Sequence, residues 1–158
     1  MTGATPLLEP RLERVADCVI EVGRPLDIGD TPVGRRRLIP ITSGRVNGPL
    51  LFAKVLPGGA DFQLVSTPTQ AQIQARYILE TDEGEQIYVE NTGLRVAPAD
   101  LVDKINRGIA VDPDLVYFRT TPRFETAAPR WTWLMESLFI GTGARFPDRV
   151  ELSFFRVR

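Results

Sequence analysis

Nearly every apolar run in this chain is short, rich in β-branched residues and closed by a turn residue, which commits it to strands. From Leu12 to Val22 the chain reads LERVADCVIEV, with charges interspersed among Val15, Val19 and Ile20. RRRLIPI follows, and then LLFAKVLPGGADFQLV, which Pro57-Gly58-Gly59 punctuates. AQIQARYIL and EQIYVENTG flank Asp82-Glu83-Gly84 and read as an antiparallel hairpin, and RVELSFFRV closes the chain as a last strand. Strands are expected over Leu12–Val22, Gln72–Leu79, Gln86–Asn91 and Val150–Val157. Gly23 to Gly34 holds three glycines and two prolines and reads as an irregular loop. Helical spacing occurs once, at Leu101, Val102 and Ile105 in PADLVDKINRG, so one short helix is expected over Ala99–Asn106. Acids in its early turns and Gly108 beyond it suit the two ends of a helix. The fold class is therefore all-β with one short helix, an antiparallel barrel or closed sandwich, because closure hides sheet edges. One domain is expected over residues 1–158, with residues 1–10 as a loose N-terminal arm.

Composition then removes whole classes of chemistry. The 158 residues include 19 basic and 20 acidic side chains, a net charge of -1, which leaves no excess charge to hold a nucleic acid. Histidine is absent, so Ser-His-Asp and Cys-His devices and histidine metal sites are excluded. A single cysteine, Cys18, excludes internal disulfides and thiolate metal clusters. The start of the chain resembles no signal peptide and no later stretch has the length of a membrane span, so a soluble cytoplasmic protein without a membrane partner is expected. Gly141 to Phe146 lacks the third glycine of a dinucleotide loop, and the acids are not grouped at metal-ligand spacing. The inventory points to chemistry with no cofactor and no metal.

Residues 117–133, YFRTTPRFETAAPRWTW, hold the densest aromatic cluster. In an extended segment Tyr117 and Arg119 share one face, with Phe118 and Thr120 on the other. Pro122 is expected to break that parity, leaving Glu125 among aromatics, where desolvation would raise its pKa toward a general acid or base. The plainer alternative is a structural Arg119–Glu125 ion pair within an aromatic core segment. Asp61 enters a strand just after the glycine turn and is expected at a wet barrel rim, ionised and suited to the base role, or else as a turn cap. Tyr77 and Tyr88 lie on neighbouring strands. Arg76 must face away from Tyr77, and Tyr77 is chosen as the donor to a substrate carbonyl. Arg35-Arg36-Arg37 reads as a solvated or ion-paired cluster.

The motifs PGGADFQ, ARYILETDEGEQIYVENTGLR, VYFRTTPRFETAAPRWTWL and LFIGTG, in that order, resemble the DUF3237 (UPF0311) family, from about Leu12 to the last residue. The resemblance implies a single soluble antiparallel barrel, calycin-like or shaped like a small outer-membrane protein, with an internal pocket and frequent self-association as a homo-oligomer. It marks Asp61, Arg76, Tyr77, Tyr88, Asn91, Arg95, Arg119 and Glu125 as family-typical polar positions, and Phe118, Phe124 and Trp133 as matching aromatics. Two departures make this member more apolar: Met135 stands where relatives carry an amide, and Val96 where they often carry histidine.

The residues and the resemblance together lean toward a cofactor-independent enzyme moving a proton next to a carbonyl: a lyase, hydratase, cyclase or isomerase for a small, partly hydrophobic substrate. Asp61 or Glu125 would be the base, Tyr77 the carbonyl donor and Arg119 the oxyanion or carboxylate partner. Tyr88, Asn91, Tyr117, Phe118, Phe124, Trp133 and Met135 would line the pocket. The alternative is a non-catalytic binding protein for a small hydrophobic ligand. A purely structural module explains the strands but not the polar set.

Overall fold

A computed structural model describes residues 3–158. Its strands are β1 (Leu12–Val22), β2 (Leu26–Thr31), β3 (Gly34–Asn47), β4 (Phe52–Val55), β5 (Gly59–Thr67), β6 (Gln70–Glu80), β7 (Gln86–Val96), β8 (Tyr117–Thr126), β9 (Phe139–Arg145) and β10 (Arg149–Val157). Helix α1 (Ala99–Asn106) joins β7 to β8, and a 3-10 segment, Pro129–Met135, joins β8 to β9. All pairings are antiparallel. The β1–β10 and β1–β3 ladders bring the sheet back on itself, closing a barrel.

The ten strands make eight staves. β1 and β2 pair one after the other along the same edge of β3, Val22 opposite Ile41 and Leu26 opposite Leu38. β4 and β5 do the same along its other edge, Val55 opposite Gly44 and Gly59 opposite Ile41. Each is one stave broken by a Pro/Gly-containing kink. Pro40, which has no N–H to give a ladder, sits in β3 beside the first break. Its carbonyl accepts from the Gly23 N–H at 2.9 Å, so its missing donor faces the interruption.

The expected strand Leu12–Val22 and helix Ala99–Asn106 have those bounds, and β6, β7 and β10 extend beyond the cores read from sequence. Gly23–Gly34 departs from the loop expectation, because it contains β2. A two-residue turn at Pro32-Val33 pairs Thr31 with Gly34, and Gly29 takes a φ of 97° at a bulge, so the glycines permit the hairpin. Residues 3–10 carry no regular structure and are exposed, and the first two residues of the expected arm lie outside the described residues. No helix among the described residues is long and apolar enough to cross a membrane.

Inward side chains alternate along every stave, and the two ends of the barrel are filled differently. Toward the 3-10 segment, Phe124 packs edge-on against Phe139 at 5.0 Å and Phe154 at 6.0 Å, with Leu79 and Ile87 buried alongside. Trp131 and Leu134 of that segment are buried with this cluster, and the Trp131 indole N–H donates to Glu85 at 2.9 Å. Toward α1 the inward positions become polar.

Candidate functional site

Strand parity builds the polar end. Asp61 lies opposite both Ile39 and Ala75, so it shares their inward face. Two residues along, Gln63 lies opposite Arg37. On β7, Asn91 and Arg95 follow Val89 on the inward face, and Asn91 lies across from Ala75. Phe118 and Thr120 are the inward residues of β8, opposite Arg95 and Gly93. Arg145 ends β9 opposite Val150. Tyr77, 3% exposed, sits deeper, at the floor.

Asp61, Tyr77, Asn91, Arg95, Phe118, Thr120 and Arg145 border one narrow cavity of about 40 Å³ inside the barrel, whose remaining wall is aliphatic and includes Ile20, Ile39 and Leu152. Arg37 is not part of that lining but lies within electrostatic reach of Asp61 and Arg95, and it donates to Asn106 Oδ1 at 3.0 Å and to the Asn106 carbonyl at 3.2 Å, which ties the end of α1 to β3.

The Asp61 carboxylate replaces part of a ladder. The β5–β6 register runs from Asp61 opposite Ala75 to Leu64 opposite Gln72, and the Gln74 N–H donates to Asp61 Oδ1 at 2.8 Å. Burial pushes the Asp61 pKa up to about 6, against the Gln74 bond and the positive charges of Arg95 and Arg145. Burial pushes the Tyr77 phenol well above its ordinary range, with the neighbouring Asn91 side chain acting the other way, so it remains a neutral donor. Burial, and then Arg145, bring Arg95 down to about 10, where it keeps its charge near neutrality.

Five buried polar atoms have no hydrogen-bond partner among the described residues: Tyr77 Oη, Asn91 Oδ1, Arg95 Nε and Nη2, and Thr120 Oγ1. All belong to residues bordering this cavity. Buried polar groups are otherwise almost always paired, so their convergence marks a place where a ligand's polar atoms fit.

The sequence-derived candidates divide between the two sides of the wall. Asp61, Tyr77, Asn91 and Phe118 border the cavity. Phe124 belongs to the apolar end, and so does Trp133, which packs against Phe139 at 6.1 Å. Met135 is exposed at the end of the 3-10 segment, and half-buried Val96 follows inward Arg95, so neither departure from the family pattern borders the cavity. Tyr88 faces outward and donates to Glu90 at 2.9 Å. Tyr117 and Arg119 also face outward, with the guanidinium 5.3 Å from the Tyr117 ring centre.

Glu125 requires a correction. The alternation of β8 continues unbroken through Pro122, which is itself inward, so Glu125 keeps the outward parity of Tyr117 and Arg119. Proline is accommodated because the β8–β9 ladder covers only Arg119 and Thr120. The expected pairing of Asp61 and Glu125 in one pocket therefore does not occur, and the carboxyl whose pKa burial raises is Asp61, expected to be the wet one. Arg119 is likewise separated from the cavity. With Tyr117 it borders a broad outer groove of about 680 Å³ that has no carboxylate in its lining.

Sequence reading did not assign Arg95, Thr120 or Arg145 to the cavity, nor Arg37 and Gln63 to the surroundings of Asp61. The available signal was parity: Arg37 and Gln63 lie two residues from Ile39 and Asp61, and Arg95 lies four from Asn91. Among the described residues no three acidic or cysteine side chains gather as a metal site, and Asp61 stands among arginines, whose charge repels a cation.

Fold and site thus define a closed antiparallel β-barrel with a polar cavity at one end. The chain belongs to the DUF3237 family, described as a protein of unknown function, whose model matches residues 10–157. It is 44% identical over 153 residues to a UPF0311 protein of Rhodopseudomonas palustris strain TIE-1, covering 97% of this chain and 99% of that one. A crystal structure of a conserved protein of unknown function from Rhodopseudomonas palustris superposes with a TM-score of 0.88 at 42% identity, covering 98% of this chain and all of the other. An enzyme from Penicillium herquei shares the fold at 18% identity, with a TM-score of 0.73 over 99% of this chain and all of that one.

Proposed function

We propose that this protein is a cofactor-independent acid–base enzyme that moves a proton next to a carbonyl of a small, partly hydrophobic substrate, as a lyase, hydratase, cyclase or isomerase does. The observation carrying this reading is the convergence of partnerless buried polar atoms on the cavity that also holds Asp61. With a pKa of about 6, Asp61 is ionised at neutral pH yet basic enough to accept a proton from carbon. The Tyr77 O–H donates to the substrate oxygen as negative charge develops there, and the Arg95 cation borders the same cavity. Asn91 Oδ1 accepts from a substrate hydroxyl. Base assistance of this kind contributes about 10²–10⁴-fold and an oxyanion donor about 10²–10³-fold. Arg119 and Glu125, on the outer face, take no part. A barrel of the same shape from Penicillium herquei is described as an enzyme, so the architecture is compatible with catalysis.

The test is wash-in of deuterium at the α-carbon of small ketones, enones and hydroxy-ketones in D2O, followed by NMR. The native protein exchanges an accepted compound, and Asp61→Asn loses roughly 10² in rate or more. Equal exchange by Asp61→Asn removes Asp61 as the base. Tight binding without exchange across the series supports the alternative, a carrier of small hydrophobic ligands.

A further inference from the structure

We propose that the cavity holds its substrate as an anion, with a carboxylate of an apolar-bodied acid seated on Arg95 between Arg37 and Arg145. The inference rests on the cavity being the substrate site and goes further by naming the charge and shape of the ligand.

Charge imbalance is the first argument. Three guanidinium groups, from β3, β7 and β9, meet at the α1 end, where Asp61 is the carboxylate bordering the cavity. The other acids whose charge reaches these arginines are committed elsewhere. Asp27 is held by Arg35, and Asp148 is 3.0 Å from Arg149. Among the described residues none of the three arginines forms an ion pair. Each is shifted downward, by burial first, and Arg145 and Arg37 each act on Arg95. Buried cations that repel one another are costly unless an anion completes the set.

Geometry narrows the anion. Arg37 spends hydrogen bonds on Asn106, and Arg145 donates to the Phe146 carbonyl at 2.7 Å. Arg95 is different: it is 2% exposed, and both Nε and Nη2 lack partners. Those two nitrogens form one edge of the guanidinium, the edge that takes a carboxylate side-on through two parallel hydrogen bonds. The same cavity is also lined by Ile20, Ile39, Ile73, Phe118 and Leu152, which suits an alkyl or aryl body. At about 40 Å³ the cavity is narrow, so the acid is a small one, or the Arg145 side chain that borders it swings aside.

Calorimetric titration of the full chain with isovalerate and benzoate, beside isovaleramide and benzamide as uncharged counterparts, tests this. The carboxylates bind at least tenfold more tightly than the amides. Arg95→Met removes the preference, and Arg95→Lys, which keeps the charge but loses the two-nitrogen edge, weakens carboxylate binding about tenfold. Arg119→Met, on the outer face, leaves it unchanged. Equal affinity for acid and amide overturns the proposal, as does undiminished carboxylate binding by either Arg95 variant. Asp61→Asn separates the two readings, because it retains or strengthens carboxylate binding by removing a like charge. Carboxylate binding through Arg95 with no deuterium exchange leaves the anion site standing and rejects the catalytic role. Exchange of neutral ketones with no preference for acids does the reverse.

Discussion

At the end closed by Pro129–Met135, Phe124, Phe139, Phe154 and Trp131 meet in a single apolar cluster, and the Trp131 indole N–H there donates to Glu85. At the α1 end the same staves present Asp61, Gln63, Arg95 and Thr120 to one another, with several donors and acceptors unmatched. One barrel therefore divides its labour along its axis. The first end supplies hydrophobic burial, and the second gives up some stability to keep polar groups poised. Substitutions at the two ends should differ in sign as well as in size.

The largest effect belongs to the apolar end. Phe154 is fully buried and packs on Phe124, so Phe154→Ala should cost about 3–5 kcal/mol in urea unfolding. Benzoate affinity of the remaining folded protein should be unchanged. A loss below 1 kcal/mol would mean that the two ends do not differ as described.

Next comes the pH dependence of the polar end. The folded Asp61 pKa of about 6 lies above its ordinary value of 3.8, so the folded state binds that proton more tightly than the unfolded chain. The resulting stabilisation is complete below pH 4 and disappears as the pH rises through 6. Comparing the native protein with Asp61→Asn isolates this titration. The stability of the native protein relative to the variant should fall by about 2 kcal/mol between pH 4 and pH 6.5. A difference independent of pH would show that Asp61 is solvated like a surface acid.

The smallest effect has the opposite sign to the first. Arg95→Met replaces an under-partnered buried cation with an apolar chain of similar length, and should raise stability at neutral pH by about 1 kcal/mol, or about 2–4 °C in Tm. If the variant is instead destabilised by more than 1 kcal/mol, Arg95 is a structural cation and the contrast between the ends weakens.

The uneven legibility of the sequence has a physical basis. Leu12–Val22 and Ala99–Asn106 were readable because each has one dominant period and a clear stop. β2 was not, because glycine and proline, which usually interrupt strands, here form a bulge and a tight turn against β3. Parity correctly separated Tyr77 from Arg76 and Phe118 from Arg119, since side-chain alternation is a local property. Glu125 is misplaced only by expecting Pro122 to break that alternation, because whether a proline shifts a strand depends on the neighbouring ladder, which is a non-local property. Arg37 and Arg145 were hidden for a related reason. A charged residue near a strand end reads as solvated until α1 and the opposite staves are known to surround it.

The pairing of β1 with β10 also bears on how the chain assembles. Asp17 lies opposite Ser153 and Leu12 opposite Val157, so one seam of the barrel joins strands nearly the full described length apart. Contacts of such long sequence separation are slow to form. As the chain is synthesised, β1 can pair with β3 early, but its other edge stays open until residues 149–157 have emerged, and β9 waits for the same strand. Closure removes the sheet edges of the finished barrel, but during synthesis this order leaves an unpaired edge on each side of the last gap. Those edges are where intermolecular strand pairing would begin if the last strand were delayed or removed.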